Sequence, residues 1–84
     1  MLEAVAISVA EIYVPVKRRK DLDAAKVEAL AESILEEGQL TPIQVRPDKK
    51  RYVLVTGLHR LEAVKALGEE TVQALVVRTG ALLR

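Results

Sequence analysis

The sequence contains no cysteine, phenylalanine or tryptophan, and it has only two tyrosines among its 84 residues. The absence of cysteine excludes disulfides, thiolate metal sites and any mechanism with a cysteine nucleophile. Because aromatic side chains are scarce, a hydrophobic core has to be built from Val, Leu, Ile and Ala. We expect that core to be thin, so that a bound ligand or a second subunit contributes to stability.

Strong net charge and long apolar runs are also absent. The formal net charge is +1, so no global basic field draws the chain to nucleic acid, and any affinity for anions has to be local. No run approaches the ~18 apolar residues of a membrane span. The N-terminus carries Glu3 and lacks the basic-then-apolar layout of a signal peptide. We therefore expect a single domain over residues 1–84 that is cytoplasmic and does not associate with membranes.

Residues Asp23–Glu37 carry the clearest helical pattern. Asp23 is a good N-cap, and Gly38 stands where a left-handed residue would end the helix. Apolar side chains recur with the spacing of one helix face at Val27, Leu30, Ala31, Ile34 and Leu35. The sequence therefore predicts a helix over this segment.

The N-terminal segment Val5–Val14 is rich in β-branched residues and predicts a strand that ends at Pro15, with an interruption over Ser8–Glu11. Four consecutive basic residues follow, and they are Lys17, Arg18, Arg19 and Lys20. One interpretation of this basic run is a solvated loop. The other is a flap of positive charge that meets bound phosphates, and these residues are also the candidates for contact with DNA.

The middle of the chain predicts an antiparallel hairpin. Ile43–Arg46 and Arg51–Thr56 alternate, and the short polar connection 47–50 joins them. The second run is the more continuously apolar, which predicts that it is the central strand. The remaining segments predict a turn at 39–42, a helix over 58–67 that stops at Gly68 and a strand over 72–77. Residues 79–84 either start a third helix or form a frayed end. The pattern indicates an α+β domain with a mixed sheet of about four strands and two to three helices.

The stretch Thr56–Ala63, which reads TGLHRLEA, connects the predicted central strand to the second helix. A strand that passes through a glycine into a helix leaves the first backbone N–H groups of that helix unpaired. Those donors and the positive end of the helix dipole attract anions. His59 and Arg60 add side chains that can bind phosphate oxygens. We therefore predict a phosphate-binding turn formed by Gly57, Leu58, His59 and Arg60.

Two segments resemble conserved boxes of ParB partition proteins: SILEEGQLTPIQVRP at 33–47 and TGLHRLEAVKALG at 56–68. In addition, LDAAKVEAL at 22–30 and GLHR at 57–60 resemble sulfiredoxin, whose signature there is glycine, cysteine, histidine, arginine. Together the similar segments cover residues 7–78. The resemblance implies the ParB/sulfiredoxin fold and a nucleotide site that takes ATP or CTP, with Mg²⁺ when the nucleotide is bound.

The resemblance also implies roles for individual residues. Arg60 and His59 would contact phosphates, and Gly57 would allow close approach of the backbone. Three residues outside the turn match nucleotide-contacting positions, and they are Lys26, Ser33 and Thr41. Structural alternatives remain open: Gly57 only makes a tight turn, His59 caps or packs, Arg60 pairs with Glu62 or another carboxylate, and Lys26 is solvated.

The sequence departs from both families at the turn. Leu58 stands where sulfiredoxin has its catalytic cysteine, which excludes the reduction of a sulfinic acid by that route. ParB proteins have an acidic residue and two arginines after the glycine, where this sequence has Leu58, His59 and Arg60. The third ParB box and the helix-turn-helix that reads DNA in those proteins are not found in these residues.

Three functions are consistent with the residues. The first is a ParB-like nucleotide-binding domain, with a plasmid- or chromosome-partition role and weak phosphatase or kinase activity; no catalytic residue and no metal-holding carboxylate pair can be assigned. The second is a DNA-associated accessory that makes weak, salt-sensitive, sequence-independent contacts through the basic run and the phosphate turn. The third is a protein-interaction module, or a homodimer, whose nucleotide site has decayed.

Overall fold

The computed structural model describes residues 3–39 and 41–78. In chain order its elements are β1 (Val5–Ser8), a 3₁₀ turn (Val9–Glu11), β2 (Ile12–Tyr13), α1 (Val16–Arg19), α2 (Ala24–Glu37), β3 (Ile43–Asp48), β4 (Arg51–Thr56), α3 (Leu58–Ala66) and β5 (Thr71–Val76). The predicted α+β class is confirmed. The predicted helix start over 79–84 lies outside the described residues, as does Leu40 in the predicted turn. Within the described ranges, no helix has the length and apolar character needed to cross a bilayer.

The sheet has five strands in the order β1-β5-β3-β4-β2, where about four were predicted. The extra strand arises because the predicted interruption of the N-terminal segment is a 3₁₀ turn, and the two parts pair at opposite edges of the sheet. β1 runs antiparallel to β5, and β2 runs parallel to β4. The prediction that β4 is central was wrong. β5 returns parallel to β3 and places β3 in the centre, which the apolarity of β4 alone could not reveal.

The predicted hairpin is confirmed, with a tighter turn than expected. β3 continues through Pro47 to Asp48, and Asp48 pairs with Arg51 across the ladder. Lys49 and Lys50 alone form the turn, and Lys49 has a positive φ of 55°. The hairpin therefore projects basic side chains from its tip.

The predicted long helix is also confirmed, but its apolar face is less buried than the sequence pattern predicted. The Asp23 carboxylate caps α2 by accepting hydrogen bonds from the backbone N–H groups of Ala25 and Lys26 at 2.9 and 3.4 Å. No residue of α2 is fully buried, and Leu35, expected on its apolar face, is 75% exposed. α2 packs mainly against α3.

The basic run does not form the expected loop. Residues Val16–Arg19 form the one-turn helix α1, whose Arg18 N–H donates to the Pro15 carbonyl at 2.9 Å. The turn is stabilised by two guanidinium groups that reach strand carbonyls. Arg18 Nη1 donates to the Val55 oxygen at 2.7 Å, and Arg19 Nε donates to the Val14 oxygen at 3.1 Å. These tertiary bonds are what the local sequence could not show.

The core lies between the sheet and α3. Its side chains are aliphatic, as the composition required, and they are Ile7, Val14, Ile43, Val45, Leu54, Leu58, Leu61, Val64, Val72 and Ala74. Leu58, predicted in the phosphate turn, is 7% exposed and belongs to this cluster. Its side chain thus has a structural role at the first position of α3.

Gly57 is the point at which β4 becomes α3, and its backbone approaches β3 closely. Its φ of +103° lies in the left-handed region. A Cβ on this residue would lie 2.6 Å from Ile43 Cγ2 and 2.9 Å from Ile43 Cβ. Since Ile43 is fully buried in the central strand, it has little room to move. Only glycine allows α3 to begin here.

We expect Gly57→Ala to lower the free energy of unfolding by about 3 kcal/mol, as the sum of backbone strain and overpacking. Gly68→Ala is the matched control, since Gly68 also has positive φ but a Cβ there would meet nothing within 4 Å. It should lose only about 1 kcal/mol, from the backbone conformation alone. Urea unfolding measures both. Equal losses in the two variants would contradict the importance of the Ile43 contact.

The side chain of Gln39 joins the end of α2 to the sheet. Its Oε1 accepts from the Gln73 N–H at 2.8 Å, and its Nε2 donates to the Gln73 carbonyl at 3.0 Å. The β3–β5 ladder begins at Ile43, paired with Ala74, and the preceding Pro42 has no N–H to donate. The Gln39 amide therefore pairs with β5 just before β3 begins.

We expect Gln39→Ala to destabilise the fold by about 1 kcal/mol, because it removes two hydrogen bonds to the exposed Gln73 backbone, where water can replace the lost amide. Gln73→Ala is the control. Only the backbone of Gln73 takes part and its side chain is exposed, so this variant should change stability by less than ~0.5 kcal/mol. Thermal unfolding compares the two, and a neutral Gln39→Ala would exclude the role assigned to this amide.

Candidate functional site

The predicted phosphate turn lies at the junction of β4 and α3. β4 ends at Thr56, Gly57 makes the left-handed step, and Leu58 opens the helix. The Leu61 N–H bonds the Gly57 carbonyl at 2.8 Å, so the regular helical bonds begin with Leu61. The N–H groups that precede it are the ones that a helix leaves unpaired, and no side chain caps them.

A cleft of about 280 Å³ opens at this turn, and we call it the turn cleft. It is built by α1 and the residues after it, by α2, and by the start of α3. The residues that line it are Arg18, Asp21, Leu30, Gly57, Leu58, His59 and Arg60. All four predicted turn residues therefore surround one opening. The structure adds three residues from elsewhere in the chain.

Arg18 is the one basic residue among the three that the structure adds to the cleft. The hydrogen bond from Nη1 to Val55 holds its guanidinium at the end of β4, directly before the turn. A guanidinium has five N–H donors, so this bond leaves others to face the cleft. Arg18 was predicted together with its neighbours as a DNA contact. In the structure it lines the turn cleft instead of lying in a continuous basic loop.

His59 connects the turn to the start of α2. Its Nε2 accepts a hydrogen bond from the backbone N–H of Asp23 at 3.0 Å. This bond assigns the ring proton to Nδ1, because a nitrogen that accepts carries no proton. The capping alternative for His59 is therefore present in the structure. A ligand in the turn cleft would meet a ring whose position this bond already sets.

Arg60 is partly buried and lines the turn cleft. The alternative that it pairs with Glu62 is not what the structure shows, because Glu62 is paired with Lys65 at 3.2 Å. Among the described residues, Arg60 takes part in neither of the two ion pairs. Its charge is thus available to an anion at the turn.

The other predicted nucleotide contacts lie outside the turn cleft. Lys26 is exposed in the first turn of α2. Ser33 Oγ donates to Glu37 Oε1 at 3.5 Å, and Thr41 is exposed, with its carbonyl accepting from Gln39 Nε2 at 3.0 Å. The structure therefore does not bring these three side chains together with the turn, and their contact with a nucleotide stays a prediction.

Two residues of the cleft were missed by sequence reasoning, Asp21 and Leu30. Leu30 was assigned to the apolar face of α2, and the structure places it beside the turn. Asp21 follows the basic run, where the sequence offers no signal that this residue would line the same cleft as the turn. Within residues 3–39 and 41–78, no group of three or more acidic or histidine side chains forms a ready-made metal site.

Arg19, from the same basic run, lies at the β2 edge of the sheet. The Arg19 guanidinium carbon lies 5.9 Å from the centre of the Tyr13 ring, and that of Arg51 lies 4.1 Å from it. Cations over an aromatic ring are attracted by its π electrons. Tyr13 thereby brings α1 next to the basic tip of the hairpin. Lys17 and Lys20 are exposed.

Known structures resemble this fold closely. Sulfiredoxin from Arabidopsis thaliana superposes with a TM-score of 0.82 at 30% identity, covering 98% of this chain and 93% of that one. The C-terminally truncated chromosome-partitioning protein ParB from Caulobacter crescentus, complexed with CTP-γ-S, superposes with a TM-score of 0.78 at 29% identity. That match covers 96% of this chain and 48% of that one. The predicted ParB/sulfiredoxin-like fold is confirmed.

Sequence comparison points to the same group. The probable chromosome-partitioning protein ParB of Campylobacter jejuni is 39% identical over 62 residues, which cover 74% of this chain and 22% of that protein. The chain thus spans about a fifth of the length of this relative. The family model described as the ParB N-terminal domain matches residues 2–82. On the strength of that match, the chain belongs to the ParB N-terminal domain family.

Proposed function

We propose that this chain is a nucleotide-binding domain that holds the phosphates of CTP or ATP in the turn cleft. The observation that carries the proposal is the convergence of Arg18, His59 and Arg60 on the glycine turn at the start of α3. Backbone N–H groups at a helix N-terminus and guanidinium donors are the groups that bind phosphate oxygens in proteins. Arg18 and Arg60 supply two positive charges to a cleft in a chain whose net charge is only +1.

The comparisons support a nucleotide as the ligand. The Caulobacter ParB, which is 29% identical to this chain, was crystallised with CTP-γ-S. Since the relatives are partitioning proteins, we extend the proposal to a role in chromosome or plasmid partition. Weak phosphatase or kinase activity, a cytoplasmic location and a homodimeric or other protein partner stay predictions. The cleft offers the positioning and charge neutralisation that phosphoryl transfer requires.

We expect Arg60→Ala to weaken the binding of CTP or ATP about 10- to 100-fold, which corresponds to one lost charge-assisted hydrogen bond. Isothermal titration calorimetry with each nucleotide, in the presence of Mg²⁺, measures the change. Arg46→Ala is the control, because Arg46 is exposed on β3 and does not line the cleft. Equal affinities of the native protein and Arg60→Ala would refute a phosphate site at the turn.

A second candidate function is contact with the DNA backbone along the β2 edge. The observation in its favour is the Tyr13 ring, which places Arg19 of α1 and Arg51 of the hairpin on one side of the sheet. The hairpin tip adds Lys49 and Lys50, both exposed. Two basic segments that are distant in sequence thus lie near one another. Such contacts would be independent of base sequence and sensitive to salt.

For this second function we expect Lys17→Gln/Lys20→Gln to weaken DNA binding and to lower the slope of log K against log salt by about 2, since each phosphate contact contributes ~0.9. Fluorescence anisotropy with a short duplex at several salt concentrations gives the slope. Arg46→Gln/Arg78→Gln removes the same charge from exposed positions outside the two basic segments. If both double variants change the slope equally, the effect is one of net charge, and the surface has no specific role.

A further inference from the structure

The turn cleft contains one acidic residue beside the basic residues that can donate hydrogen bonds to a phosphate. Of the residues that line it, Asp21 is the one that carries a carboxylate, and it shares the opening with Arg18, His59 and Arg60. A site evolved only to bind a bare anion gains nothing from a carboxylate in its wall, because like charges repel across a few ångströms. The presence of Asp21 therefore requires a reason.

Asp21 is not neutralised by the arginines beside it. In the described part of the chain the ion pairs join Arg51 to Asp48 and Lys65 to Glu62, and Asp21 takes part in neither. The contact that the structure gives Asp21 is through its backbone, whose N–H donates to the Arg18 carbonyl at 3.1 Å. That bond fixes the backbone of Asp21 in the turn that follows α1. Its side chain is exposed and remains free to contact a ligand.

The residues that line the turn cleft fit a magnesium–nucleotide complex. Mg²⁺ is commonly bound by only one or two protein carboxylates together with substrate phosphates and several waters. The described residues contain no preformed group of three acidic or histidine side chains, so the protein alone does not provide a metal site. One carboxylate beside a phosphate-binding turn is sufficient when the phosphates supply the remaining ligands.

We propose that Asp21 contacts the divalent cation of a bound metal–nucleotide complex, so that the turn cleft selects the Mg²⁺ form of the nucleotide over the metal-free form. The inference rests on the proposed nucleotide function of the same cleft. Asp21 disfavours a bare triphosphate by repulsion and favours the complex by direct or water-mediated contact with the cation. Arg18 and Arg60 bind the phosphates in either form.

The test is a thermodynamic cycle between Asp21 and Mg²⁺. CTP is titrated calorimetrically into the native protein and into Asp21→Asn, each in excess Mg²⁺ and each in EDTA. For the native protein, Mg²⁺ should raise the CTP affinity about tenfold or more, within the usual range of coupling between two ligands. For Asp21→Asn the gain should fall below about threefold, and CTP in EDTA should bind at least as tightly as to the native protein.

Two controls separate this effect from others. Glu69→Gln removes the same charge at an exposed position outside the cleft, and it should retain the native response to Mg²⁺. Circular dichroism should show Asp21→Asn folded, because the hydrogen bond at this position uses the backbone. Replacing Mg²⁺ by Mn²⁺ in the presence of CTP should broaden the amide NMR signals around Asp21 selectively.

The outcomes distinguish the two proposals. The nucleotide function fails if the native protein binds CTP neither with Mg²⁺ nor in EDTA, and likewise does not bind ATP. This inference then fails with it. If CTP binds but Asp21→Asn keeps the native gain from Mg²⁺, the nucleotide function stands and the role of Asp21 is refuted. A native affinity that does not depend on Mg²⁺ refutes the role of Asp21 as well.

Discussion

The close approach of Gly57 to Ile43 is the constraint on which the candidate site depends. The central strand β3 occupies the space that a Cβ at residue 57 would need, and the left-handed turn there directs α3 back across the sheet. From that start, Leu58, Leu61 and Val64 enter the core. His59 and Arg60, on the same turn, are carried to the cleft. Packing of the core and the position of His59 and Arg60 in the cleft are therefore consequences of one contact.

Hydrogen bonds between segments far apart in the chain add to the constraint at the glycine turn. Arg18 attaches α1 to the end of β4, and His59 attaches α3 to the cap of α2. Gln39 attaches the other end of α2 to β5. Since no residue of α2 is fully buried, such polar contacts matter more here than in a domain with a deep core. A ligand that bridges these segments would stabilise the fold as it binds.

The residue after the glycine separates this chain from the chemistry of sulfiredoxin. Leu58 belongs to the core and lines the turn cleft at the same time, so it closes the inner wall with an aliphatic side chain. An aliphatic wall excludes water and contributes burial, but it provides no nucleophile and no acid or base. The charged residues that line the cleft are instead Arg18, Asp21 and Arg60. This arrangement favours binding and recognition of charge.

The sequence by itself determined the elements whose signals are local. The helix after Asp23, the hairpin around Lys49 and the turn at Gly57 are each encoded by caps, periodicity or a glycine within a few residues, and each is confirmed as an element. Only the tertiary structure decided the position of β3 at the centre of the sheet, the transfer of Arg18 from a presumed basic loop to the cleft, and the presence of Asp21 there. These depend on pairings between segments far apart in the chain, such as Arg18 with Val55, 37 residues away. No local pattern specifies such a partner, because it is selected by the strand order and by the space that the packed core leaves.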